Sequence, residues 1–204
     1  KAVTDTLTVM LKDGGVAFDE NFRIGDNDLK SIRKIILIAC GTSWHASLVG
    51  EFMFEELAKI PTEVEYASEF RYRNPIVDKD TLVIAVSQSG ETADTIAALK
   101  KAKELGARTL SICNVAGSSI TRVADSTIYT KAGPEIGVAS TKAFTTQLAV
   151  LYLLTIKLSR LKGTLNSAQI ESMISSIRKI PLQMQSVLDE DKEILRCAEL
   201  YCSK

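Results

Sequence analysis

Short apolar runs alternate with longer amphipathic segments through most of the chain. "KIILIAC" (34–40) precedes "SWHASLVGEFMFEELAKI" (43–60), where apolar positions return at helical spacing. "TEVEYA" (62–67) leads into a polar stretch, "SEFRYRNP", that Pro75 ends. "TLVIAVS" (81–87) precedes "ETADTIAALKKAKELG" (91–106), a predicted helix with Gly106 at its C′ position. "ARTLSICN" (107–114) precedes "SSITRVAD" (118–125), and "STIYTKA" (126–132) precedes a long helix from near Ser140 to about Leu161, which Gly163 stops. Five short β-branched strands alternating with helices predict a parallel sheet covered on both faces. Right-handed crossovers then make a doubly wound α/β layer structure the leading architecture. From Ser167 onward the pattern changes. There is no strand, Leu, Ile and Met recur every three or four residues, and Pro181 predicts a kink or break, so two or three helices are expected there.

Composition narrows the field of functions. Lysine plus arginine equals aspartate plus glutamate at 25 each, so no net field points to nucleic acid or an anionic membrane. The longest apolar stretch, "LAVLYLLTI" (148–156), is about half the length a bilayer span needs and reads as a buried helix. Cysteines at 40, 113, 197 and 202 match no zinc spacing. They are expected to be free, reduced, structural thiols, which points to the cytoplasm; no metal and no cofactor are expected. The opening "KAVTDTLTVMLKDGG" has neither an initiator Met nor an apolar signal core and reads as part of a longer chain.

In open α/β sheets a ligand sits beyond the carboxyl ends of the strands, where strand order reverses. For five strands in flavodoxin-like order, that point lies between the first and third. "CGTSWH" (40–45) follows the first and "SQSGET" (87–92) the third; both are small, hydroxyl-rich and run straight into a helix. "GPEIGVASTKAF" (133–144) has the same character and opens the long helix. Three helix N-termini, with unpaired N–H groups and partial positive charge, are therefore expected to face one crevice. With no GxxxxGK[ST] and no GxGxxG, neither a magnesium nucleotide nor a dinucleotide fits. Neutral hydroxyls and amides suit a phosphate monoester held without metal, and a sugar phosphate meets that description. Ser87, Ser89 and Thr92 are candidate donors to its phosphate, with Gln88 adding an amide and Ser43 reaching in from the first loop. Thr42, Ser140 and the backbone of Val138 are candidates to face the carbon chain. Against this stands the ordinary use of Ser, Thr and Gly as caps and turn residues.

"CGTS", "ASEFRYR", "SQSGETADT", "ICNVAGSS" and "AGPEIGVASTKAFTTQL" together resemble the first sugar isomerase (SIS) domain of the glutamine–fructose-6-phosphate aminotransferases, from about residue 10 to the C-terminus. The resemblance implies a five-stranded αβα sandwich, a fructose-6-phosphate or glucosamine-6-phosphate ligand, and a homodimer formed through the sugar domains. It also implies that Ser43, Ser87, Gln88, Ser89 and Thr92 hold the phosphate while Thr42, Val138 and Ser140 contact the sugar. The organisation it implies is a helical and loop segment over 1–30, a sugar isomerase domain over 31–163, and helices over 164–204 leading to a second such domain. In this family that second domain supplies the acid–base groups, so the chain is expected to bind phosphosugar without producing glucosamine-6-phosphate by itself. A stand-alone regulatory sensor of sugar phosphate is the alternative.

Four residues outside this set invite a catalytic reading. His45, the only histidine, falls in a first helical turn where exposure is common. Glu91 is expected to complement its own helix N-terminus, and Glu135 to order the loop before Gly137. Lys142, in the first turn of the long helix, is left open between a ligand or partner contact and solvent. "EFRYR" (69–73) reads as interface or surface.

Overall fold

The computed structural model describes residues 1–12 and 15–202; Asp13, Gly14, Ser203 and Lys204, which belong to the expected terminal segments, lie outside the described residues. Helix α1 (Ala2–Met10), the antiparallel two-residue strands β1 (Leu11–Lys12) and β2 (Gly15–Val16), and α2 (Asp26–Ser31) come first. Then follow β3 (Lys34–Ala39), α3 (Gly41–Met53) with a terminal π turn (Phe54–Ala58), β4 (Thr62–Tyr66), α4 (Ala67–Tyr72), β5 (Thr81–Ser87) and α5 (Ala93–Glu104). The chain continues with β6 (Arg108–Cys113), α6 (Ser119–Val123), β7 (Ser126–Tyr129), α7 (Lys142–Lys162), α8 (Ser167–Leu188) and α9 (Asp191–Tyr201).

Five of these strands form one parallel sheet in the order β4-β3-β5-β6-β7, the flavodoxin-like arrangement. All seven residues of β5 are buried, because helices cover both faces of the sheet and leave no solvent side to alternate with. Successive side chains on a strand still point opposite ways. Ile35, Leu37 and Ala39 face one core with Leu82, Ile84 and Val86, closed by Ala46 of α3 and Leu151, Leu154 and Leu158 of α7. Ile36, Ile38, Val83 and Ala85 face the other, closed by Phe70 of α4 and Ala98, Leu99 and Ala102 of α5. The result is a three-layer αβα sandwich with α7 as its most buried helix, twelve of its residues being shielded from solvent.

Helix boundaries follow the punctuation read from sequence to within about two residues. Gly106 (φ 89°) follows α5 and Gly163 (φ 69°) ends α7, both left-handed as a C-terminal stop requires. Helix α7 starts at Lys142 rather than near Ser140, which leaves Ser140 in the preceding loop. Pro181 does not break α8, which continues seven residues beyond it to Leu188. What changes at Pro181 is burial: Ile170, Ile174 and Ile177 pack on the core before it, and residues 182–188 are exposed after it. Helix α9 has no buried residue among those described. Among the described residues no helix is long and apolar enough to cross a membrane.

Candidate functional site

Sheet order reverses at the β3–β5 pair, which runs from Lys34↔Thr81 to Ala39↔Val86. β4 lies outside β3, while β6 and β7 lie outside β5. The loops that leave the carboxyl ends of β3 and β5 therefore diverge and open a cleft between α3 and α5. The cleft measures about 200 Å³ and is lined by Thr42 and Ser43 from the first loop, Ser87, Gln88, Ser89 and Thr92 from the second, and Val138 and Ser140 from the loop before α7. All eight residues singled out from the sequence line this one space. Its remaining walls come from Cys40, Gly41, Val86, Thr95 and Gly137, so no charged side chain among the described residues lines it.

The hydroxyls are held in a common way. Ser87 Oγ accepts from Gly90 N at 3.0 Å and Ser89 Oγ from Glu91 N at 3.2 Å. Ser43 Oγ accepts from Gln147 Nε2 at 2.9 Å. An oxygen that accepts an N–H keeps its own proton free to donate, so these bonds orient the three serines without consuming their donors. Thr92 occupies the N-cap position of α5 but forms no side-chain capping bond, and neither does Cys40 at the start of α3. Helix capping therefore does not account for Thr92. Thr42 Oγ1 and Ser140 Oγ lie 3.0 Å apart and tie the first loop to the third.

The left-handed turn after β5 depends on Gly90. Its φ is +70°, and a Cβ there would collide with Ser118 Oγ and stand 2.8 Å from Cys113 Sγ. Only glycine fits both the backbone and the space. Its N–H is the donor that orients Ser87, so the turn and the site share one atom.

The third loop is pinned at both ends by residues the sequence reading did not place in the site. Asn114 Oδ1 accepts from Ala132 N at 2.8 Å and Thr130 Oγ1 at 3.1 Å, while its Nδ2 donates to Gly133 O at 2.8 Å. Glu135 Oε2 accepts from Lys142 N at 2.9 Å and Ala143 N at 3.1 Å. The Ala143 N–H first, with Lys142 beside it, holds the Glu135 carboxyl below the usual carboxylate range. The expectation of three free helix N-termini is thus corrected to two, because a carboxylate of the chain already occupies the first turn of α7. Lys142 turns its ammonium to Pro134 O of the same loop.

Glu135 thus orders its loop as expected, whereas Glu91 is displaced from its expected role. Its carboxylate accepts from Ser119 N at 2.8 Å, at the start of α6 rather than of its own helix α5, and hydrogen bonds from Ser119 hold its pKa low. His45 bonds Gly41 O through Nδ1 at 3.0 Å, meets Trp44 edge-on and does not line the cleft. Within "EFRYR", Arg71 pairs with Asp94 at 3.0 Å and Arg73 with Glu65, which commits both cations to the protein surface. Among the described residues no group of His, Cys, Asp and Glu is arranged to hold a metal, and all four cysteines are unpaired. Burial pushes the Cys113 thiol up and keeps it protonated. A larger groove of about 630 Å³ between α7 and α8 is walled mainly by apolar side chains, Leu148, Tyr152, Ile177 and Ile180 among them, with Thr145, Ser176, Lys179 and Gln183 as its polar positions.

Residues 28–157 match the family model of the SIS domain. The glutamine–fructose-6-phosphate aminotransferase [isomerizing] of Caldanaerobacter subterraneus subsp. tengcongensis is 51% identical over 196 residues, 96% of this chain and 32% of that protein. The same enzyme of Clostridium tetani is 48% identical over 198 residues, 97% of this chain and 33% of its own. The chain spans about a third of the length of the curated relatives it matches. Among solved structures, the C-terminal domain of glucosamine-fructose-6-phosphate aminotransferase from Francisella tularensis matches with a TM-score of 0.90 at 40% identity, covering 97% of this chain and 55% of that one. Glucosamine-6-phosphate deaminase from Thermotoga maritima shares the fold at 20% identity and a TM-score of 0.61, over 86% of this chain and 53% of that one. With the family model matched over well more than half of its length, the chain belongs to the SIS domain family.

Proposed function

We propose that the cleft binds a sugar phosphate, fructose-6-phosphate or glucosamine-6-phosphate. In this reading the chain is the sugar-binding half of the isomerase part of an enzyme that combines fructose-6-phosphate with glutamine-derived ammonia. One observation carries the proposal: uncharged donors from three separated segments converge where the sheet order reverses, with no acid or base among the described residues that line the space. Ser43, Ser87, Gln88, Ser89 and Thr92 take the phosphate oxygens, and Thr42, Ser140 and the main chain at Val138 take the sugar. The first turns of α3 and α5 add main-chain N–H groups and the positive ends of two helix dipoles. A dianion is held this way without a counter-ion in the site, and a neutral polyol end finds hydroxyl partners.

The same lining limits the chemistry. Moving a proton between neighbouring carbons of a sugar needs a base of matched pKa within reach, and the cleft presents hydroxyls, amides and the Cys40 thiol. Residues 31–163 therefore bind and orient, with Val3, Leu7 and Met10 of the segment 1–30 and Ile170, Ile174 and Ile177 of 164–204 packed on their core, and the acid–base groups of the isomerisation come from outside the cleft. We read the protein as cytoplasmic, in keeping with its four unpaired thiols, and as a homodimer by analogy with the family.

Thermal unfolding tests the proposal. Fructose-6-phosphate or glucosamine-6-phosphate at about a hundred times its Kd stabilises the native state by about 2.7 kcal/mol, a rise in Tm of roughly 5–10 °C for a chain of this size. Ser89→Ala or Thr92→Ala abolishes most of that rise. An undiminished rise in both variants moves the phosphate elsewhere, and no rise in the wild type rejects the ligand.

A further inference from the structure

We infer that Gln147 is a positioning residue for the phosphate site: its carboxamide turns the Ser43 hydroxyl so that its proton faces the cleft. The inference rests on the sugar-phosphate reading and adds to it a residue that lies outside the cleft. Gln147 belongs to the second turn of α7 and is 0% exposed, on a helix face otherwise given to Ala143, Thr146, Val150 and Leu151. A primary amide in such a place is costly unless bonded. One bond is made, Nε2 to Ser43 Oγ at 2.9 Å, while Oε1 is buried without a partner among the described residues. An aliphatic side chain would fill the same volume with no unpaired acceptor. Stability does not explain a glutamine here.

Comparison with the other two serines does. A serine hydroxyl rotates about Cβ–Oγ and settles where its neighbours direct it. Ser87 and Ser89 are each oriented by a main-chain N–H two or three residues along the same turn. Ser43 sits inside the first turn of α3, where the intrahelical donors follow the helix axis, and its own carbonyl is taken by Ser47 Oγ at 2.9 Å. Its donor comes instead from 104 residues away, across the α3–α7 contact. That contact is close: a Cβ on Gly50 would stand 3.1 Å from Leu151 Cδ1. The chain Gln147 N–H to Ser43 O–H to anion aligns two dipoles toward the same negative charge, and each bond polarises the next.

A methionine side chain keeps the unbranched length of glutamine and lacks its donors, so Gln147→Met is the informative variant. Calorimetric titration of the 204-residue chain with fructose-6-phosphate should show affinity reduced about tenfold, while the Tm without ligand is unchanged or higher. Ser43→Ala should lose a similar factor, and Ser43→Ala/Gln147→Met no more than Ser43→Ala alone, since both remove one donor. A purely structural glutamine gives the opposite pattern, a lower Tm with affinity retained, and that result overturns the inference. Additive losses in the double variant overturn it too, because Gln147 would then act by another route. Wild-type affinity in Gln147→Met beside a weakened Ser43→Ala rejects Gln147 but keeps the site. No binding by the wild type rejects both. If Gln147→Met does not fold, Gln147→Leu decides, because it too lacks a donor to Ser43; wild-type affinity in that folded variant is again incompatible with the inference.

Discussion

A left-handed glycine at the end of β5 sets the geometry of half the cleft. Gly90 N orients Ser87, Gly90 O accepts from Ile120 N at 3.0 Å, and Ser118 leaves no room for a methyl group beside it. Ser118 cannot easily turn away, since its hydroxyl is held by Val115 O at 2.9 Å. Gly90→Ala therefore combines the left-handed backbone penalty with overpacking, together about 2–5 kcal/mol. Its Tm should fall by roughly 5–15 °C in a thermal melt without ligand, and a variant that melts like the wild type would mean that the turn is not as described. At this scale "SQSGET" was legible because Ser87 and Ser89 accept from main-chain N–H groups two or three residues along. Gln147 was not, for it reads as one polar position in "TTQLAVLYLL" until α3 is laid against it. Asn114 escaped for the same reason, its three bonds going to a segment 16 to 19 residues away.

Between β7 and α7 the backbone from residue 130 to 141 has no regular structure, yet it delivers Val138 and Ser140 to the cleft. Asn114 holds its entry and Glu135 its exit. Glu135 was expected to order this loop, but it is seven residues before Lys142, far from the position a capping side chain usually occupies, so no local motif announces that its partners are the first amides of α7. Glu135→Ala should raise hydrogen exchange at Lys142 and Ala143 and weaken sugar-phosphate binding, with the melting of the sheet unaltered; Glu135→Gln, which keeps an acceptor, should lose less. The carboxyl is depressed in the folded chain by those N–H groups. Its contribution is therefore present above the ordinary carboxylate pKa and disappears as pH falls through the lower folded value. Exchange protection of the two amides should follow that acid limb in the wild type and be flat across it in Glu135→Gln. Protection in the wild type that ignores acid would remove Glu135 from the loop's support. The sheet elements themselves were readable because unbroken apolar runs have one common meaning, burial on both faces, whereas the direction of the Glu91 and Glu135 carboxylates depends on which helix start lies nearest in space.

The molecule is two cores back to back across one sheet, joined by strands whose alternate residues serve each side. Helix α8 adds to the first core through Ile170, Ile174 and Ile177, with Met173 packed beside them, all before Pro181, and α9 contributes no buried residue among those described. Periodicity could not distinguish these cases, since Leu, Ile and Met recur at helical spacing on both sides of the proline. Amphipathicity says that a face will be covered, not by what. The two halves of this tail should therefore separate in a truncation series. Removing residues 190–204 deletes side chains that, over the described residues 190–202, are exposed, and Tm should stay within about 1 °C of the full chain, since exposed substitutions away from packed features change stability little. Removing 167–204 instead deletes three buried isoleucines, each worth about 1.5–3 kcal/mol, and uncovers the core they pack on. That cut should lower Tm by roughly ten degrees or more. Because α9 has no buried residue among those described, the shorter cut should leave the response to fructose-6-phosphate intact. Equal losses from the two cuts would show that α9 contributes to the fold in a way its burial does not reveal, and that the domain's stability does not stop at Ile177.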